Sequence, residues 1–234
     1  MKTLKKVSLL FISIFLFTAC NSDDADNQND FTLNLDSETN TVFAKQNANY
    51  NFSLNALEVG DQYQIKVINS SDTDFDATLT INGNEAIIGN TIIITENNLD
   101  ITLTPNEVGI ASFTVEVTRN GVTQTQTIAL TSKMPTFNIS VQQNFPSSGT
   151  IVANVTVTLL DGYDQPLMYT YKGNSTGAVA GPIGPSSVIL NDIVGSNTPP
   201  VKTITLTRFV SGYTYEIKVE NEFGYTVTQS YTYP

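Results

Sequence analysis

Short runs in which every second residue is apolar, each broken by a turn signal, constrain this chain most strongly. Phe113, Val115 and Val117 alternate with Thr114, Glu116 and Thr118, climb to Asn120-Gly121, and are followed by a Thr/Gln-rich return from Val122 to Leu130. Side chains on a strand point to opposite faces with a period of two, so such a run buries one face and wets the other. Asn-Gly supplies the two left-handed residues of a tight hairpin. The pattern recurs at Phe31/Leu33/Leu35, Tyr50/Phe52/Leu54, Tyr63/Ile65/Val67, Leu79/Ile81 before Asn82-Gly83, and Leu99/Ile101/Leu103 before Pro105. Ile87-Ile88 and Thr91 to Thr95 are more continuously apolar. Roughly seven to nine short strands at this spacing predict an antiparallel β-sandwich, and no helical pattern competes with it.

Ser132-Lys133-Met134-Pro135-Thr136 interrupts the alternation, which then restarts at Phe137, Ile139 and Val141. Ile151/Val155/Val157/Leu159, Leu167/Tyr169/Tyr171, Ile204/Leu206 and a closing hairpin from Tyr213 to Tyr233 follow. The sequence therefore predicts two domains, 31–133 and 134–234, each close to the usual domain size of about 100 residues. Between them the halves share a motif: Phe113-Thr-Val-Glu-Val aligns with Tyr213-Thr-Tyr-Glu-Ile, each followed by a Gly-containing turn and a Thr/Gln-rich return. Duplication of one domain type is the expectation this raises. Gly173 to Pro200, rich in Gly, Pro, Ser and Asn, is predicted as a long loop with one short strand, Ser187 to Leu190. Such loops either bind partners or are plain insertions. A phosphate cradle needs a strand before it and a Lys-Ser or Lys-Thr helix after it, and neither is present, which excludes nucleotide binding here.

Gly212-Tyr213-Thr214-Tyr215-Glu216-Ile217-Lys218-Val219, with Asn221 and Gly224, resembles the last hairpin of fibronectin type III and related Ig-like domains. That resemblance implies tandem Ig-like sandwiches, closed by apolar packing because no Cys…Trp…Cys framework exists. The first domain is also similar, at Tyr63-Gln-Ile65, Asn82-Gly83, Leu103-Thr-Pro105 and Gly109, to small Ig-like lipoproteins of the conjugal-transfer TraQ family. It implies a surface accessory role.

The amino terminus sets a location. Lys2, Lys5 and Lys6 precede an apolar core, Leu9 to Phe17, and Phe17-Thr18-Ala19 leads into Cys20, the single cysteine. The apolar stretch falls short of the roughly 20 residues of a membrane span. It resembles a bacterial lipoprotein signal peptide, residues 1–19, which implies cleavage before Cys20 and lipidation of its thiol. Acyl chains there anchor a protein without spanning, at about 0.8 kcal/mol per buried methylene. Residues 20–30 are polar and acidic, a composition that cannot bury a core and reads as a flexible tether. Within it, Ser22-Asp23-Asp24 resembles the acidic export signal of Bacteroidetes lipoproteins, which implies display on the outer face of the outer membrane.

Charge narrows the partners. Loss of the three signal lysines leaves 8 basic and 22 acidic residues, a net charge of −14. Nucleic acid and anionic lipid surfaces both reward Lys and Arg, so neither is expected as a partner. The chain has no histidine, hence no Ser-His dyad, no imidazole acid/base and no His-bearing metal site. Paired carboxylates for glycoside hydrolysis need a cleft that a sequence does not show. A non-enzymatic protein without a resident cofactor is the expectation.

Two residue sets remain as binding candidates. Asp72, Asp74 and Asp76 alternate in Ser71-Asp-Thr-Asp-Phe-Asp, a spacing that lets carboxylates converge on Ca²⁺. Ala77 and Gly83 stand where an EF-hand needs Gly and Glu, leaving a non-EF-hand calcium site or a solvated acidic loop. Eight of the ten tyrosines lie from Tyr163 onward. Tyr169, Tyr171, Tyr213 and Tyr215 fall on core positions; Tyr163, Tyr225, Tyr231 and Tyr233 are the candidates for exposed rings that stack on sugars. The sequence thus points to a lipid-anchored binding or accessory module for a protein partner, with glycan capture in polysaccharide uptake or a structural spacer as alternatives.

Overall fold

The computed structural model describes residues 31–55, 61–71, 74–175, 188–194, 201–207 and 209–234. Cys20, Ser22, Asp23, Asp24 and Asp72 lie outside the described residues, as do 176–187 and 195–200 of the Gly/Pro-rich region. The described residues are all-β, built from sheets packed face to face as sandwiches.

In the first domain the strands are β1 (Thr32–Leu35), β2 (Thr39–Phe43), β3 (Ala48–Asn55), β4 (Tyr63–Asn69), β5 (Ala77–Ile81), β6 (Asn84–Ala86), β7 (Thr91–Ile94), β8 (Asn98–Pro105), β9 (Gly109–Arg119) and β10 (Val122–Lys133). One sheet runs β1-β3-β8-β5-β6 and the other β2-β10-β9-β4-β7. The predicted alternation sets the burial: Tyr50, Phe52 and Leu54 of β3, Ile65 and Val67 of β4, and Phe113, Val115 and Val117 of β9 all face the core. Asn82-Gly83 and Asn120-Gly121 have φ of 50° and 76° and of 48° and 84°, the pair of left-handed residues a type I′ turn requires. Neither β2 nor the three-residue β6 had a sequence signal. The first strand switches sheets after Leu35, and β2, which is Thr-Asn-Thr-Val-Phe, runs parallel to β10 with Thr39 opposite Ala129 and Phe43 opposite Lys133.

The second domain holds β11 (Phe137–Asn144), β12 (Ile151–Leu159), β13 (Leu167–Ser175), β14 (Val188–Val194), β15 (Val201–Leu206), β16 (Thr214–Asn221) and β17 (Thr226–Thr232). They form β11-β12-β15 against β14-β13-β16-β17, a three-on-four antiparallel sandwich. Two expectations for Gly173–Pro200 need correction. β13 continues through Gly173 to Ser175, and β14 is seven residues long and pairs along β13, with Leu167 opposite Val194. Gly173 has the inward parity of Tyr169 and Tyr171. A Cβ there would lie 2.9 Å from a Leu206 methyl on the facing sheet, so the position takes only glycine without repacking. A strand whose core position is glycine carries no apolar mark in the sequence.

Candidate functional site

Each strand pattern fixes which end of a domain a residue occupies. β3 starts at Ala48 and ends at Asn55, and β1 lies antiparallel to it with Thr32 opposite Asn55. The chain therefore enters the first domain at one end, while Phe43, Lys133 and Pro105 gather at the other.

That second end meets the second domain in a bonded junction. The turn after β2 is held by Ala44 N–H to Lys133 O at 3.0 Å and Lys45 N–H to Pro105 O at 2.7 Å. Across the boundary the Tyr163 hydroxyl donates to Ala44 O at 3.0 Å, and its ring meets Phe43 edge-on at 5.9 Å. The buried Asn221 amide donates to Pro135 O at 2.9 Å, while its own oxygen accepts the backbone N–H groups of Phe223 and Tyr225. Lys45 Nζ reaches Glu222 Oε1 at 2.6 Å and sits 5.8 Å from the Phe223 ring centre. Gln46 donates to Asp164 Oδ1 at 3.3 Å. These contacts tie the turn after β2 to both domain-two loops at the junction. Burial, with the Glu222 and Asp164 carboxylates beside it, pushes the Tyr163 phenol well above its ordinary range, so it stays a neutral donor. Asp164 is held below the usual carboxylate range by the side-chain hydrogen bonds from Gln165 and Gln46.

The tyrosines expected as an exposed platform are corrected by this geometry. Tyr163 is 4% exposed and serves the junction. Tyr233 is 9% exposed; its hydroxyl accepts Gly149 N–H at 2.8 Å and its ring meets Phe145 and Phe209. Tyr225 and Tyr231 are half-buried: Tyr225 packs edge-on to Phe137 at 5.3 Å, and Tyr231 stacks on Tyr215 at 5.4 Å. The reason is parity, since odd-numbered residues of β17 face the sandwich interior. Tyr169, Tyr171 and Tyr215 are core, as expected, and Tyr213 packs half-buried beside them. The Tyr215 hydroxyl donates to Gln143 Oε1 at 2.6 Å, and burial, then Tyr231, pushes its pKa up to about 12.

Of the three alternating carboxylates, Asp74 and Asp76 are among the described residues. Asp74 and Asp76 are exposed, and Asp76 is occupied by Asn106, whose side chain donates to Oδ1 at 3.2 Å and whose N–H donates to the Asp76 carbonyl at 2.9 Å. Among the described residues no three acidic, cysteine or histidine side chains form a group able to hold a metal.

What the sequence did not single out is the edge of β17. In the first domain the last strand, β10, is flanked on its outer side by β2; in the second domain, among the described residues, β17 ends its sheet, with β16 as its ladder partner. Tyr233 N–H bonds to Tyr213 O at 2.7 Å and Asn221 N–H to Tyr225 O at 3.0 Å, so odd residues of β17 face β16. Strand alternation then aims the backbone groups of Thr226, Thr228, Ser230 and Thr232 outward. Natural edges are blunted by charge, proline or a bulge, and Thr-Val-Thr-Gln-Ser-Tyr-Thr carries neither charge nor proline. A second opening is a shallow groove of about 450 Å³ at the far end of the first domain, lined by Gln62, Tyr63, Gln64, Ile93, Thr118 and Asn120. Beside it, Arg119 pairs with Asp61.

No protein-family model matches the chain, and no curated protein matches it. Among solved structures, it is similar to a conjugative transposon lipoprotein from Bacteroides eggerthii, 15% identical, covering 43% of this chain and 95% of that chain with a TM-score of 0.37.

Proposed function

We propose that this protein is a lipid-anchored, outward-facing, non-enzymatic binding or accessory module that engages a protein partner through its second domain. The observation that carries the reading is the placement of ends. A tether from Cys20 reaches the first domain at the Thr32 end, and the bonded junction stands at the opposite end. The second domain, with its uncharged open edge, is thereby carried away from the anchor. Charge agrees: residues 31–133 hold twelve acidic and four basic side chains, whereas 134–234 hold six and four, leaving the outer domain close to neutral. Low charge lets two protein surfaces approach without mutual repulsion.

Fractionation of cells expressing the wild-type chain and Cys20→Ser tests this. Wild type is expected in the outer-membrane fraction and digested by protease added outside intact cells; Cys20→Ser is expected in the soluble periplasmic fraction. A Cys20→Ser chain that stays membrane-bound, or a wild-type chain shielded from external protease, overturns the proposal.

A further inference from the structure

The open edge of β17 has a sequence that complements itself. Two copies related by a two-fold axis and joined along this edge lie antiparallel, the geometry an isologous contact imposes. Centred on Gln229, that register sets Thr228 opposite the second copy's Ser230 and Thr226 opposite the second copy's Thr232. These are the even-numbered residues whose backbone groups point outward, so each pair can exchange both N–H···O bonds. On the interior side the same register sets Val227 opposite the second copy's Tyr231, a β-branched residue against an aromatic, which is a favourable cross-strand pairing. No like charges meet anywhere along the seam. A centre one residue away keeps the outward groups paired but sets Val227 or Tyr231 opposite Gln229, so it is the Val227–Tyr231 pair that favours this alignment.

We propose that the occupant of the β17 edge is a second copy of this chain, added antiparallel to give one continuous sheet across two second domains. The first domain shows on the same molecule what an added strand does. Beside β2, Leu130 and Ser132 of β10 are buried, whereas Val227 and Tyr231 of the uncovered β17 remain half-exposed. Electrostatics favours the arrangement, because the antiparallel seam joins the near-neutral domains and sends the strongly acidic first domains to opposite ends. The inference deepens the binding role given above and rests on it for one consequence. With tethers at opposite ends, the pair would link two facing surfaces.

Sedimentation of the full-length chain carrying Cys20→Ser tests the dimer without the anchor. A concentration-dependent doubling of mass is expected, and Thr228→Pro weakens it by at least about tenfold, since each copy loses an outward N–H. That proline spares the β16 ladder, so an unchanged circular dichroism spectrum and melting temperature verify the fold. Register is read separately by thiol oxidation. Gln229→Cys, which meets itself at the two-fold axis, forms a covalent dimer, and Thr232→Cys, which meets Thr226, does not. A chain that stays monomeric, a dimer indifferent to Thr228→Pro, or equal cross-linking at both positions overturns the proposal. Surface display, read in cells through Cys20→Ser, stands or falls independently of these results.

Discussion

The two domains end in the same hairpin and treat its outer edge oppositely. β9–β10 and β16–β17 both pair antiparallel over a tight Gly-containing turn, and both return strands are rich in Thr and Gln. In the first domain the opening strand breaks after Leu35, crosses the gap, and lies parallel to β10 from Thr39 to Phe43. In the second the opening strand stays with β12 over its whole length, Phe137 opposite Leu159 through Asn144 opposite Val152. One sandwich has sealed itself, and among the described residues the other leaves that strand position without an occupant. An edge without a ladder partner is a liability that natural sheets usually blunt, and this is why the proposed association is placed there.

The comparison is tested most severely by equivalent core truncations. Leu130→Ala, under the seal of β2, is expected to cost about 2–5 kcal/mol, while Val227→Ala on the half-exposed β17 costs about 1 kcal/mol. Urea unfolding followed by circular dichroism measures both; equal costs would show that β2 contributes nothing to closure. Next in size is the junction. Asn221→Ala leaves the Pro135 carbonyl and the Phe223 and Tyr225 N–H groups without their partner, at about 2–3 kcal/mol. The loss is expected in the second domain, which holds Asn221 and all three of its partners.

Much of this was legible because alternation is a direct readout of a half-buried strand, and Tyr50, Ile101, Val155 and Ile217 sit in the core where their parity places them. Four features were not, for physical reasons. β2 is a polar strand stabilised by its neighbour, so its own residues carry no period. Gly173 marks a core position by the space that Leu206 takes from it, and composition reads that as loop. Tyr163 follows a turn and looks solvent-bound in one dimension; its place in the second domain's core and the contact of its hydroxyl with Ala44 bury it. The edge of β17 depends on what, among the described residues, is absent beside a strand, which a sequence of that strand cannot encode.

High pH distinguishes the domains through their phenols. Burial lifts Tyr50 in the first domain and Tyr215 in the second to about 12, and raises Tyr63 in the first and Tyr163, Tyr169 and Tyr231 in the second. Below about pH 10 native and unfolded phenols are both neutral, and stability does not depend on them. Above it the unfolded chain loses protons that the native chain keeps, so stability falls as pH rises toward 12. With more raised phenols, the second domain is expected to unfold at lower pH than the first. Phenolate absorbance should appear together with loss of β-structure and not before it.

The smallest effect lies in a contact the two domains share. Gln126 on β10 donates to Leu33 O at 3.3 Å, and Gln229 on β17 donates to Ile139 O at 2.9 Å, each tying the last strand to the first across the gap between sheets. In the first domain that tie is backed by the β2 ladder, which holds the same two edges together. In the second domain no strand ladder backs it among the described residues. Gln229→Ala should therefore cost about 1 kcal/mol and speed amide exchange along β11, while Gln126→Ala costs about 0.5 kcal/mol or less. Because the side chain of Gln229 faces the interior and its backbone faces β16, this loss should leave the outward groups of Thr228 and Ser230 in place. A Gln229→Ala chain that is less stable yet associates as before would separate what holds the second sandwich shut from what it offers to a partner.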